Sequence, residues 1–258
     1  MSYERETSDF SELGSTKANA CHTHRLNSII GGMQAGAYVG IAIVLIMTLG
    51  SAAPEAMRGL IMGSTFGLAL ILVVIAGAEL FTGYNLYTAI AVRNGSLALP
   101  RAIEANVLVF TANLGGSFLL VLVYWVGKGL LLQGTDADFI QSVAAKKMHL
   151  DAAVLVARGA LCNWLVCLAL WMSRRVNSDS AKCIVVAWCL LAFIACGFEH
   201  SVANMTVHLL ALFGPDNPDI SVFGAAHNLL WVTLGNIIGG AVFVGLAYSS
   251  QAIALSDH

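Results

Sequence analysis

The chain has 258 residues, of which 58% are hydrophobic and 11% charged, with a formal net charge of −2; ordinary soluble domains carry roughly 45–50% and about 25%. Such a composition cannot cover a water-facing surface but suits one facing lipid, and the lack of a basic field excludes nucleic acid as a partner. Six cysteines (Cys21, Cys162, Cys167, Cys183, Cys189, Cys196) lie mostly in apolar runs without a C-x-x-C pair. Neither a zinc site nor a disulfide framework is expected, and no metal or cofactor is implied.

In chain order, residues 1–28 are polar and mixed in charge and lack the basic start and apolar run of a signal peptide, so they are expected as a cytoplasmic segment. Residues 29–250 are the expected membrane domain and 251–258 a short cytoplasmic tail. A crossing of about 30 Å of hydrocarbon takes about 20 apolar residues. The windows 29–50, 105–127, 152–173, with Arg158 near one end, and 222–249 supply one crossing each. The stretches 59–92 and 183–215 are uncharged except for Glu79 and Glu199, and both are too long for one crossing at about 1.5 Å per residue. Each holds Gly-x-Glu near its middle, Gly77-Ala78-Glu79 and Gly197-Phe198-Glu199. A helix broken by glycine at mid-depth is expected in both, since none of the prolines (Pro54, Pro100, Pro215, Pro218) sits where it could do the breaking.

The two Gly-x-Glu triplets lie 120 positions apart. Asn106-Val-Leu-Val-Phe-Thr111 resembles Asn228-Leu-Leu-Trp-Val-Thr233 at an offset of 122, and Gly-Gly follows each, at Gly115-Gly116 and Gly239-Gly240. A near-constant offset indicates an internal repeat, about 29–127 and 152–249. Three spans per half put the second half upside down, so the expected fold is all-α with six transmembrane helices as an inverted 3+3 repeat whose second and fifth helices are broken. With both termini inside, the inner side collects Arg5, Lys17, Arg25, Arg93, Arg101, Arg174, Arg175 and Lys182; the outer side collects Arg58, Lys128, Lys146 and Lys147. That bias favours cytoplasmic termini.

Gly77-Ala-Glu-Leu-Phe-Thr82 and Gly197-Phe-Glu-His-Ser-Val-Ala-Asn-Met205 resemble the formate/nitrite transporter family, and the likeness runs from about Ser28 to Tyr248. Leu161-Cys-Asn-Trp-Leu-Val-Cys-Leu-Ala169, Trp188-Cys-Leu-Leu-Ala-Phe-Ile194 and His227-Asn-Leu-Leu-Trp-Val-Thr-Leu-Gly-Asn236 resemble its nitrite channel branch. The resemblance implies an aquaporin-like protomer with its own pore, assembled as a homopentamer in a bacterial inner membrane and passing nitrite, with formate or hydrosulfide as alternatives. It places His200 and Thr82 on the loops that interrupt the fifth and second spans, and Lys147, sixteen residues before Asn163, in the outer vestibule as an anion attractor. It also places Phe66, Leu70, Leu80, Phe81, Val166 and Phe193 in apolar constrictions above and below the histidine.

Each of these residues also has a plainer reading. A histidine in an apolar helix is usually a packing residue, but an intramembrane ionisable group directly after a helix break is a functional candidate. His227 and His208 read as helix-end and packing residues. Lys147 is either an anion attractor or a solvated loop charge, and Thr82 either a pore group or a local helix-end bond. Asn163 and Asn236 are either pore-facing or interhelical links. Glu79 and Glu199 would repel an anion, so they are expected to accept bonds from backbone amides freed at the breaks, with Gly77 and Gly197 shaping those breaks. A membrane enzyme finds no catalytic motif here, and the paired Asn-Pro-Ala turns of neutral-solute channels are missing.

Overall fold

A computed structural model describes residues 3–256, with side chains to residue 252. Residues 257 and 258 of the expected tail, and 1 and 2 of the N-terminal segment, lie outside the described residues. The chain is all-helical: α1 Tyr3–Thr23, α2 Arg25–Ala52, α3 Glu55–Ile75, α4 Phe81–Arg93, α5 Leu99–Val126, α6 Gly134–Met148, α7 Ala152–Arg175, α8 Asp179–Ala195, α9 Ser201–Leu212, α10 Val222–Ile237, and α11 Ala247–Ser256, joined to α10 by a π-helical stretch at Ile238–Leu246. Five helices are long and apolar enough to cross a membrane: α2, α3, α5, α7 and the continuous Val222–Ala252 rod. The helices α4, α8 and α9 are shorter.

Two helices lie outside the expected spans. The polar segment before residue 28 forms α1, which packs against α4 and α11 and buries Phe10 and Cys21. Phe10 stacks on Trp171 with ring centroids 5.2 Å apart. The region expected as an outer loop contains α6, whose inward residues Ala137, Ile140, Ala144 and Met148 are buried. Their three-to-four-residue spacing is that of a helix stripe, too short to register as a span.

Helix α2 packs along α5, α7 along α10, and α3 on α8. Small residues bring these pairs together: a Cβ on Gly36 would strike the backbone of Asn113, and one on Gly159 the backbone of Val232. Bilayer lipid offers no hydrophobic drive between helices, so close backbone approach of this kind carries the packing.

The same set of backbone bonds closes both interruptions. Helix α3 stops where Gly77 takes φ +80°, and α8 stops where Gly197 takes φ +69°, a left-handed conformation open to glycine at little steric cost. The next amide turns back, Ala78 N–H to Val73 O and Phe198 N–H to Phe193 O, both at 3.0 Å. This bond satisfies one of the carbonyls left over at a helix end. The chain then runs extended, and Glu79 N–H donates to Gly31 O while Glu199 N–H donates to Arg158 O.

Candidate functional site

An asparagine from a neighbouring helix pins each interruption. Asn113 of α5 accepts from Phe81 N–H at 2.9 Å and donates to Gly32 O and Glu79 O, both at 2.8 Å. Asn236 of α10 accepts from Ser201 N–H at 2.9 Å and donates to Gly159 O at 2.8 Å and Glu199 O at 3.0 Å. Both side chains are wholly buried. Each uses a single amide to satisfy the first N–H of a helix and two carbonyls that would otherwise be orphaned in a medium without water.

These clamps hold the loops that carry the candidate residues. His200 is the N-cap of α9, and its Nδ1 accepts Ala203 N–H at 3.1 Å. With Nδ1 acting as acceptor, the proton of a neutral imidazole sits on Nε2. Nε2 lies 3.2 Å from Thr82 Oγ1. Thr82 is on the first turn of α4, so the two interruptions meet through this one contact. Phe193 lies parallel to the His200 ring at 6.0 Å and meets Phe66 edge-on at 5.3 Å.

Three cavities follow one another through this region. One of about 410 Å³ is lined by Lys17, Gly77, Glu79, Leu70, Leu80 and Arg174, among others. A central void of about 10 Å³ is enclosed by Val39, Phe66, Leu70, Leu80, Val166, Phe193 and His200 with two further apolar side chains; a single water needs about 10–15 Å³. The third, about 390 Å³, is lined by Phe193, His200, Glu199, Lys147, Arg158 and Arg58, among others. Leu70 and Leu80 are common to the first and second, Phe193 and His200 to the second and third.

Five of the six side chains expected at constrictions, Phe66, Leu70, Leu80, Val166 and Phe193, therefore enclose one dry space. Phe81 does not. It begins α4, where one residue of helix turns the side chain about a quarter of a circle from Leu80, and it packs edge-on against Phe110 at 5.0 Å. There it lines an outer apolar groove between α4, α5 and α10. Asn163 and Asn236 take the interhelical role of their two readings. Asn163 is wholly buried and donates to Thr82 O at 3.2 Å and Asn236 O at 2.7 Å.

The two carboxylates meet lysines instead of freed amides. Lys17 Nζ lies 2.7 and 2.6 Å from the Glu79 oxygens. Lys147 Nζ lies 2.8 Å from both Glu199 oxygens, and Asn204 Nδ2 donates to Glu199 at 2.6 Å. Lys147 belongs to the last turn of α6 rather than to a loop, and its side chain is 19% exposed. The Asn204 amide continues to Asn228 Oδ1 at 2.8 Å, which also takes His208 Nε2 at 3.0 Å. His227 closes a helix end on Leu150 O at 3.1 Å.

Asn113 was not singled out in the sequence, and Lys17 was counted only as an inner-side charge. The repeat offset could have found Asn113, which precedes Asn236 by 123 positions; no pattern around Lys17 distinguishes it from a solvated lysine. Among the described residues no group of three metal-ligating side chains exists.

The arrangement offers two polar chambers joined by an apolar waist with one imidazole N–H at its edge. Comparison with known proteins identifies relatives of nearly the whole chain. The family model described as "Formate/nitrite transporter" matches residues 6–250. The nitrite transporter NirC of Escherichia coli strain K12 is 46% identical over 237 residues, covering 90% of this chain and 88% of that protein. A solved structure titled "FNT family ion channel" superposes with a TM-score of 0.92 at 43% identity, covering 95% of this chain and 97% of that one. Another, "Pentameric formate channel with formate bound", gives 0.79 at 31% identity, covering 89% and 97%.

Proposed function

Because the chain belongs to the formate/nitrite transporter family, we propose that it is a channel for small monovalent anions, nitrite foremost. It is a multi-pass membrane protein and not an enzyme. The observation that carries the assignment is the file of three cavities with a dry waist bounded by Phe193 and His200.

In this account α3 with α4, and α8 with α9, each make one interrupted crossing, so the membrane domain over 29–250 has six crossings in two inverted halves. The twofold recurrence of the Asn113 and Asn236 clamps supports that. The segment 1–28 and the tail 251–258 lie on the cytoplasmic side, in a bacterial inner membrane, and five copies assemble as in the pentameric relative. Formate and hydrosulfide share nitrite's charge and small size and are secondary substrates.

The chemistry follows from desolvation. A bare anion entering an apolar constriction loses several kcal/mol or more of hydration unless a partner replaces it. His200 Nε2–H, now bonded to Thr82, is the donor placed at the edge of the waist, and the N-termini of α4 and α9 turn their amide dipoles toward the same centre. Lys147 and Glu199 shape the outer chamber as a bonded pair. Proton transfer from His200 to the anion would have to leave from Nε2, because Nδ1 holds the cap of α9.

Purified protein in liposomes, assayed for uptake of nitrite, formate and hydrosulfide across a pH series with internal pH recorded, tests the proposal. Saturable nitrite uptake above protein-free vesicles is expected; uptake of none of the three overturns it.

A further inference from the structure

The outer chamber is lined by four cations, Arg58, Lys146, Lys147 and Arg158, and two acids, Glu55 and Glu199. Two of the cations are committed. Lys147 is bound by both oxygens of Glu199. Arg58 donates to Gly50 O at 2.9 Å and Ala53 O at 3.4 Å, with its guanidinium 4.9 Å from the Phe139 ring centroid. Lys146, like Arg158, has no ion pair or side-chain hydrogen bond among the described residues, but it is exposed on α6, where water can solvate it.

Arg158 is different. It lies in the second turn of α7, inside a window apolar enough to cross the membrane, and among the described residues its side chain has neither an ion pair nor a hydrogen bond. An unpaired charge at such a position is disfavoured unless something binds it. Its own carbonyl receives Glu199 N–H at 3.2 Å, which ties its backbone to the residue preceding His200.

We propose that Arg158 is the anion-binding and selecting residue of the outer chamber, holding a bent O–X–O anion by two oxygens before that anion reaches His200. This rests on the channel reading above and adds the recognition step. A guanidinium presents two parallel N–H groups that match the two oxygens of nitrite or formate. A hydrosulfide ion offers a single acceptor atom and cannot use the fork. Lys147, the residue singled out in the sequence for this task, has its ammonium already engaged by a carboxylate.

The test compares wild type, Arg158→Gln and Arg158→Lys in liposomes, with initial uptake of nitrite, formate and hydrosulfide measured against concentration at low and high ionic strength. Arg158→Gln is expected to raise the half-saturating nitrite concentration about tenfold at low salt, the effect falling there rather than on the rate at saturation. Arg158→Lys keeps a charge without the fork. It should retain the salt dependence and lower nitrite and formate uptake relative to hydrosulfide about tenfold. Wild-type half-saturation and wild-type selectivity in both variants overturn the proposal. So does an equal loss for all three anions at every salt concentration, which marks a purely structural role. If wild type moves none of the anions, the channel reading itself fails and takes this assignment with it.

Discussion

Lys147 and Glu199 form a bonded pair, with Nζ 2.8 Å from each carboxylate oxygen and Glu199 only 3% exposed. Removing one partner of such a pair leaves an uncompensated buried charge, at a cost of about 3–5 kcal/mol. Lys147→Ala is therefore expected to lower thermal stability strongly, and Lys147→Ala with Glu199→Gln to recover much of that loss. A double-mutant cycle in detergent measures the coupling. Additive losses would mean that the pair contributes nothing beyond its separate side chains.

The asparagine clamps make a paired expectation. Asn113→Ala and Asn236→Ala each strand one N–H and two carbonyls in a buried setting, where every unsatisfied group costs about 1–3 kcal/mol. Both variants should lose stability by similar amounts, and both should lose anion flux, because each releases a loop carrying a central residue. Thermal melts and liposome uptake on the same preparations check this; a large effect at one site alone would break the equivalence of the two halves.

For His200, the informative change is to asparagine. Asn is a good N-cap, so His200→Asn keeps an acceptor for Ala203 N–H while deleting the Nε2–H donor toward Thr82. Stability should change little. Loss of a hydrogen bond to a charged group is worth about 1.5–3 kcal/mol, or roughly 10- to 100-fold in nitrite flux. Recording pH and nitrite together separates the two roles of this side chain. A fall in protons moved per nitrite assigns Nε2 a relay, and an unchanged ratio leaves it as a fixed donor.

Phe193 separates the central void from the outer chamber and meets both Phe66 and His200. Phe193→Ala should open the waist to water and raise leak of unrelated small solutes, together with a loss of about 3–5 kcal/mol of stability. Phe81→Ala, at a side chain of the same size in the outer groove, should lower stability without adding leak. Solute-leak assays and thermal melts of the two variants check that contrast.

Much of the fold was legible because the bilayer imposes length and apolarity on each crossing. The windows 29–50 and 152–173 fall within single helices, 105–127 overruns α5 by one residue, and 222–249 is one rod with a π-helical step after Ile237. The Gly-x-Glu triplets fall where α3 and α8 end, because glycine adopts the required φ readily. What remained hidden was contact between distant residues. Lys17 meets Glu79 across 62 positions, and nothing local distinguishes it from Lys182, which pairs with Asp179. Phe81 was misplaced because a motif gives position along the chain, whereas the direction of a side chain depends on where the helix starts. Asn163 and Asn236 were identified as polar groups near the centre, but their hydrogen bonds go to backbone. Arg158 was noticed only as a leftover charge, since its lack of a partner shows only when its neighbours are in place.

The order of the ion pairs along the chain bears on how the protein is made. In both halves the lysine precedes its glutamate, Lys17 before Glu79 by 62 residues and Lys147 before Glu199 by 52. At roughly 5–20 residues per second of synthesis, each acid leaves the ribosome several seconds after its counter-ion. Insertion can thus deliver both of these carboxylates to a cation that already exists, and neither Glu79 nor Glu199 has to wait as a naked acid for the rest of the polypeptide.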